Sequence, residues 1–435
     1  MLLAGLVLAT TAGAAAAGPG PRAQGQATIS DPTAGHAYRH GAVPLRARAT
    51  PTSEVPDIRS ATATTTSTAP VRHAEAGTGR GGPVRFNGGA VITGSPKVYL
   101  VLWGSQWATP SGDPDGLASN LEGFFNGLGT DNELWSAILT QYCQGVASGT
   151  KTCPVSPLSN HVAYPSSTVL AGVWEDTSAP SPAAATATQI AQEAADAAER
   201  FSNPPEAQYV VVSPSGSDPD GWLDPRYGYC AYHDDTQDPS LAPVSGPDVP
   251  YTNMPYVPDV GAECSSFAVP GVLDGADETI SHEYAETLTD PFPFSGWLGR
   301  GGEIADKCEN LDGGSPGGST YVTLSTGTFA MQGIWANDLG RRGGCETAHT
   351  PILTTNPGRQ RGTDAVPVSL QVSAADVRGQ ALTYVGSGLP AGLTINATTG
   401  LISGTPTGRG RTATSIVVSD TSASATIAFT WTIRR

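Results

Sequence analysis

The stretch ISHEYAETLTDPF, residues 280–292, sets His282 and Glu286 four positions apart with Glu283 between them. In a helix, positions i and i+4 stand one turn apart on one face, so both side chains can converge on a single ion. Imidazole and carboxylate are both zinc ligands. Glu283 is placed to take a proton from an attacking water. Glu303 and Asp306, in GGEIADKCE, follow at a distance suited to a helix, a turn and a return segment, and are the candidates for a third ligand. His233, in YCAYHDD, comes three residues after Cys230 and is a further candidate catalytic or ligand group, on a loop that a disulfide would make rigid. One histidine with two carboxylates nearly cancels the charge of a divalent ion, so bound water would be acidified less than in a three-histidine site. Zinc is the expected ion, with calcium or manganese as alternatives.

An HExxE string also fits an ordinary helix whose charges are solvated or salt-bridged. At about 100° per residue, Ile280, Tyr284 and Leu288 fall on one stripe, while His282, Glu286 and Thr289 lie nearly opposite. The segment therefore reads as a helix with a core face and a separate chemical face. Asp274 reads as its N-cap and Asp290-Pro291 as its terminator. Trp297 and Phe292-Pro293-Phe294 would either shape an apolar subsite or belong to plain core.

The elements that must carry these residues are legible as a layered domain. Val98–Trp103 and QYVVVSP are continuous apolar, β-branched runs of strand length. Helices are expected over 115–128 and 183–201. Alternating strands and helices predict an α/β (α+β) arrangement whose central strands are buried on both faces. Six cysteines, all between 143 and 345, suit a disulfide framework in an exported chain. Sequence leaves 15 connectivities open; the short polar loop between Cys143 and Cys153 favours sequential pairing.

The ends differ in character. Residues 1–17 read as a signal peptide, though without the usual basic start, and residues 18–82, rich in Ala, Thr, Pro, Ser and Gly, as a linker or propeptide. No later run approaches the roughly 20 apolar residues that span a bilayer. The expected protein is secreted, either extracellular or attached to a cell surface. With 23 Lys plus Arg and a formal net charge of −16, a basic surface for nucleic acid or anionic membrane is excluded. Near Thr350 the composition shifts to Thr, Ser, Val and Gly, with strand-length runs separated by turn residues, which predicts an all-β module over 351–435.

Within that module, LPAGLTINATTGLISGTPT closely resembles the repeat signature of immunoglobulin-like, often cadherin-like, modules of secreted bacterial proteins. Some of those bind calcium through an acidic run before the strand equivalent to ALTY. Here only Asp376 remains, beside Val377, Arg378 and Gln380, so calcium binding by this module is not expected. Residues from about 88 to 345 resemble the phosphate-induced, EXORDIUM-like family of secreted proteins. The resemblance rests on GGAVITGSPKVYLVLWG, YCAYH, SHEYAETLTDP followed by Trp297, GEIADKCE and IWANDLGRRGGC. It implies that an HExxE pattern is the family's own. It also associates the chain with cell-wall and growth responses, without a defined reaction.

The expected function is that of a secreted metal-dependent hydrolase, a peptidase of zincin-like type acting on an extracellular protein or polymer and targeted by its C-terminal module. His282, Glu286 and Glu303 or Asp306 would hold the ion. The alternative is a non-catalytic extracellular binding or signalling protein with a structural ion or an ion-pair cluster at the same residues.

Overall fold

The computed structural model describes residues 82–435, except 225–227, 266–270, 294, 301, 310–317 and 341. The signal peptide and nearly all of the linker expected over 1–82 lie outside the described residues.

Five strands form the central sheet: β1 (Lys97–Trp103), β2 (Leu170–Asp176), β3 (Ala207–Val212), β4 (Tyr232–Asp235) and β5 (Pro250–Met254). Their spatial order is β2-β1-β3-β5-β4. All neighbours are parallel except β4, which runs antiparallel to β5 at one edge. Side chains alternate cleanly between the two faces. Val98, Leu100, Leu102, Val210 and Val212 enter one core, while Tyr99, Val101, Tyr209 and Val211 enter the other. Both faces are thus dry, which is why β1 and β3 read as continuous apolar runs. Edge strand β2 remains half-exposed.

Four helices cover the sheet: α1 (Leu117–Gly127), α2 (Trp135–Leu139), α3 (Ala187–Arg200) and α4 (Asp274–Thr289). Helix α3 presents Ile190, Ala191, Ala194, Ala197 and Ala198 to the Tyr99 face. The helix expected over 183–201 begins later, because Thr186 closes a capping box with Gln189, a device that contributes about 1 kcal/mol. Helices α1, α2 and α4 share the opposite core through Leu121, Phe125, Trp135, Ile138, Ile280 and Tyr284.

The disulfides are Cys143–Cys153, Cys230–Cys264 and Cys308–Cys345, the sequential pairing.

From Ile352 onward the chain is all-β. A four-stranded sheet places Gln360–Thr363 parallel to Ser424–Arg434, followed by Gly410–Ser419 and Thr383–Ser387. A three-stranded sheet is made by Val368–Gln371, Leu401–Gly404 and Leu393–Ile395. Ile402, Ile416, Val418, Ile427 and Trp431 form a core of their own. In the quoted signature, Asn396 Oδ1 accepts from the backbone N–H groups of Thr398 and Thr399. Gly400 turns the chain at φ 68°, where an added Cβ would lie 2.7 Å from the Tyr384 ring. Arg378 Nη2 donates to Asp420 Oδ2 at 2.7 Å and Nε lies 3.8 Å from Asp376 Oδ1, so a guanidinium already faces both carboxylates.

Candidate metal centre

Helix α4 supplies the centre's framework. Acidic Asp274 and Asp277 occupy its first turn, where the helix dipole favours them. Asp274 is the first helical residue and not the expected N-cap, which is Leu273. Its Oδ2 accepts instead from Tyr321 Oη at 2.7 Å, so the carboxylate is held by tertiary structure. The helix ends at Asp290 as expected; Asp290 Oδ1 accepts from the backbone N–H and the hydroxyl of Ser295.

All sixteen residues of α4 are buried. The expected separation into two faces holds, with Ile280, Tyr284 and Leu288 in the apolar core, but the chemical face is enclosed as well. Strand β4 covers it from one side and the segment around 303–306 from the other.

Glu286 is the hub. Its Oε1 accepts from the backbone N–H groups of Ala305 and Asp306, both at 2.9 Å. Its Oε2 lies 3.0 Å from His282 Nε2 and 3.9 Å from His233 Nδ1. Asp306 Oδ1 is 3.6 Å from His282 Nε2, and Glu303 Oε2 is 3.4 Å from His233 Nε2. Glu283 Oε2 is 3.2 Å from His233 Nδ1. The donor atoms of His282, Glu286 and Asp306 all fall within 4.8 Å of one another, as do those of His233, Glu286 and Glu303.

Gln332 orients the first imidazole. Its Nε2 donates to Ala305 O at 2.8 Å, which turns Oε1 toward His282 Nδ1 at 3.1 Å. Nδ1 then carries a hydrogen and Nε2 is left facing the carboxylates, the arrangement that an outer-sphere partner imposes on a metal-ligating histidine. Gly302, at φ 107°, allows the return segment to close, since an added Cβ would stand 2.2 Å from Asp306 Oδ2.

Electrostatics without an ion are severe. Burial, then the neighbouring carboxylates, push Glu283, Glu303 and Asp306 well above the usual carboxylate range. Burial acts on Glu286 in the same direction. It is outweighed by His282, His233 and the Asp306 N–H, which hold Glu286 low. Burial alone would push His282 down, yet the charges of Glu286, Glu283 and Asp306 raise it. Buried carboxylates in such numbers call for a compensating cation. Two oxygens also make no hydrogen bond among the described residues, Glu283 Oε1 and Glu303 Oε2. Donor types, spacing and these oxygens all fit a divalent ion.

Every candidate named from sequence, namely His233, His282, Glu283, Glu286, Glu303 and Asp306, is brought into this one cluster. His233 lies on strand β4 and is fully buried; it does not occupy the loop expected for it. The Cys230–Cys264 bridge nevertheless ties that strand to the turn ahead of α4. Trp297 does not shape a subsite. Its ring packs between Phe86 and Tyr142 and its Nε1 donates to Cys143 O, so it is core. Phe294 lies outside the described residues.

Sequence reasoning missed Gln332, which has no motif signature, and read Asp290 only as the end of the helix. It also missed Asp338, Glu346 and His349, which form a second cluster with His349 Nδ1 2.5 Å from Glu346 Oε1 and Nε2 3.4 Å from Asp338 Oδ2. The His349 spacing to Glu346, i and i−3, was the available signal.

Comparison with curated proteins finds no match to the chain. Solved structures with likeness to it include one described as a "putative alpha-galactosidase" from Bacteroides fragilis, at 16% identity and TM-score 0.18, covering 20% of this chain and 18% of that one. Human protocadherin-24 EC1-2 matches at 18% identity and TM-score 0.17, covering 19% of this chain and 43% of the other. Drosophila N-cadherin EC1-4 matches at 9% identity and TM-score 0.18, covering 26% and 38%. The chain therefore spans less than half the length of each. Residues 350–434 match the family model described as "Putative Ig domain", and that C-terminal segment is an immunoglobulin-like region.

Proposed function

We propose that the protein is a secreted, metal-dependent hydrolase of zincin-like type, most directly a peptidase, with the immunoglobulin-like region serving to hold it at an extracellular surface or polymer. The observation that carries this reading is the convergence of His282, Glu286 and Asp306 on one point, with Glu283 beside them and one of its oxygens unengaged. The spaced motifs that resemble EXORDIUM-like secreted proteins, and the three disulfides, support an extracellular setting.

A divalent ion, zinc first and calcium as the alternative, supplies Lewis acidity at such a site. Glu283 would accept the proton of the attacking water through Oε1 and become the neutral acid, and His233, with Nδ1 against Oε2, would hold the carboxylate in place before that transfer. Gln332 holds His282 Nε2 toward the carboxylates that would share an ion with it. Replacing Glu283 by Gln preserves shape and removes the base. Glu283→Gln is expected to keep folding and metal content and to lower turnover of a protein substrate by at least about 100-fold; unchanged turnover would remove Glu283 from the chemistry.

A second reading is favoured by burial. Among the described residues of the centre only the Asp306 side chain is noticeably exposed, at 21%, and an enclosed ion can be structural. That reading makes the protein a non-catalytic extracellular binding or signalling protein. In it, removal of the ion lowers stability, and no substrate is turned over at any metal loading.

A further inference from the structure

We propose that the centre takes two divalent transition cations, one between His282, Glu286 and Asp306 and one between His233, Glu286 and Glu303, with Glu286 as the shared ligand. The inference rests on the reading of this cluster as a metal centre, and is independent of whether it hydrolyses anything. Three observations carry it.

The ligands divide into two sets of the same chemistry, each one imidazole and two carboxylates, and each set is mutually within 4.8 Å. The sets meet at one atom. Glu286 Oε1 is occupied by two backbone N–H groups, which leaves Oε2 as the oxygen that faces both His282 Nε2 and His233 Nδ1. A carboxylate oxygen between two imidazoles from different elements is a bridging position. Ions that share such a ligand in hydrolytic centres stand about 3.5–4 Å apart.

Charge balance points the same way. Glu283, Glu286, Glu303, Asp306 and Asp290 crowd one region, four of them almost fully buried. When all are ionised, one divalent ion offsets two of their five charges and a second reduces the remainder to one. Among the described ion pairs these carboxylates meet histidines, and Lys307 adds one positive charge near Asp306.

The second position also explains Glu303. Its Oε2 is buried, makes no hydrogen bond among the described residues, and lies 3.4 Å from His233 Nε2 without hydrogen-bond geometry. A single-ion centre built on His282 leaves that oxygen desolvated and unsatisfied, which costs more than a neutral group would. An ion at His233 Nε2 satisfies it, with Nδ1 left against Glu283 Oε2 and Glu286 within 4.8 Å to complete the set. The backbone N–H of Glu303 donates to Asp306 Oδ2 at 2.9 Å, which fixes the two sets relative to each other.

The test is metal stoichiometry on the full chain. The protein is stripped with a chelator, titrated with zinc chloride, and assayed by calorimetry and elemental analysis. Two equivalents are expected, with Glu303→Gln reducing the count to one and Asp306→Asn likewise leaving one. Loaded with manganese, the wild-type chain should give an exchange-coupled electron paramagnetic resonance spectrum that collapses to the isolated-ion hyperfine pattern in Glu303→Gln. One saturating equivalent in the wild type, unchanged by Glu303→Gln, would overturn the two-cation centre and leave the single-ion reading standing. No bound zinc or manganese at all would overturn both. Circular dichroism of each variant distinguishes loss of a ligand from loss of the fold.

Discussion

His161 and His282 are both buried, and what their nitrogens face separates them. His161 places Nδ1 against Thr140 O and Nε2 against Pro154 O, each at 2.7 Å, so it faces backbone carbonyls and not carboxylates. His282 faces an amide oxygen on one side and two carboxylates on the other. The same type of residue is structural in one place and ligand-like in the other because of its neighbours. Glu193 makes a related point on α3. Burial, then the neighbouring carboxylates of Asp176 and Asp196, push its carboxyl up to about 8 from 4.5. Since its folded value lies above its unfolded one, the folded state holds an extra proton between about pH 4.5 and 8, and stability falls as pH rises through that window. Glu193→Gln keeps a donor and removes the titration. Urea unfolding should therefore find the variant more stable than wild type by about 2–4 kcal/mol at pH 8, with no difference at pH 4. Equal stability at pH 8 would mean that Glu193 ionises without cost.

At the scale of elements, the centre is assembled by crosslinks as much as by helix geometry. Strand β4 carries His233 and Cys230 precedes it. Cys264 ends the turn before α4, and the bridge between them closes a loop of 34 residues in sequence separation. Cys308 follows Asp306 and joins it to the strand at 344–346. Two of the three disulfides thus border segments that deliver ligands. Chain-entropy reasoning gives the Cys230–Cys264 bridge roughly 3–4 kcal/mol. Replacing both residues by Ser is expected to cost about that much in thermal or denaturant unfolding and to weaken zinc binding, because β4 would no longer be tied to α4. Retained zinc affinity in the folded double variant would show that packing alone positions His233. Full enclosure of α4 was not visible in its own pattern. Polar residues at 277, 278, 281–283 and 286–287 predict a wet face. Tertiary partners instead take those groups, as when Asp277 accepts from Asn120 Nδ2 and Ala330 N–H.

For the whole molecule, the core of the immunoglobulin-like region is separate in composition and position along the chain from the two cores of the sheet domain. The sheet domain ends with the Asp338, Glu346 and His349 cluster, and the immunoglobulin-like region has a core drawn wholly from residues 352–433. Residues 350–435 expressed alone are therefore expected to unfold in one cooperative transition. Arg378 already faces Asp376 and Asp420, so millimolar calcium should leave the melting temperature of this segment unchanged. A rise with calcium would show that the acidic pair accepts the ion despite the guanidinium.

Much was determined locally. Strands β1 and β3, helix α3, the boundary near 350 and the six candidate residues of the centre are legible in apolar runs, composition and spacing, because those signals lie within a few positions of the residues they describe. Tertiary structure decided the rest. That His233 belongs to an edge strand, that Trp297 is core, that Gln332 orients His282, and that Glu286 Oε2 faces two imidazoles at once depend on contacts between residues from about 20 to more than 150 positions apart. Such contacts are set by how the sheet, α4 and the crosslinked segments pack, and packing leaves no periodic trace in any one of them.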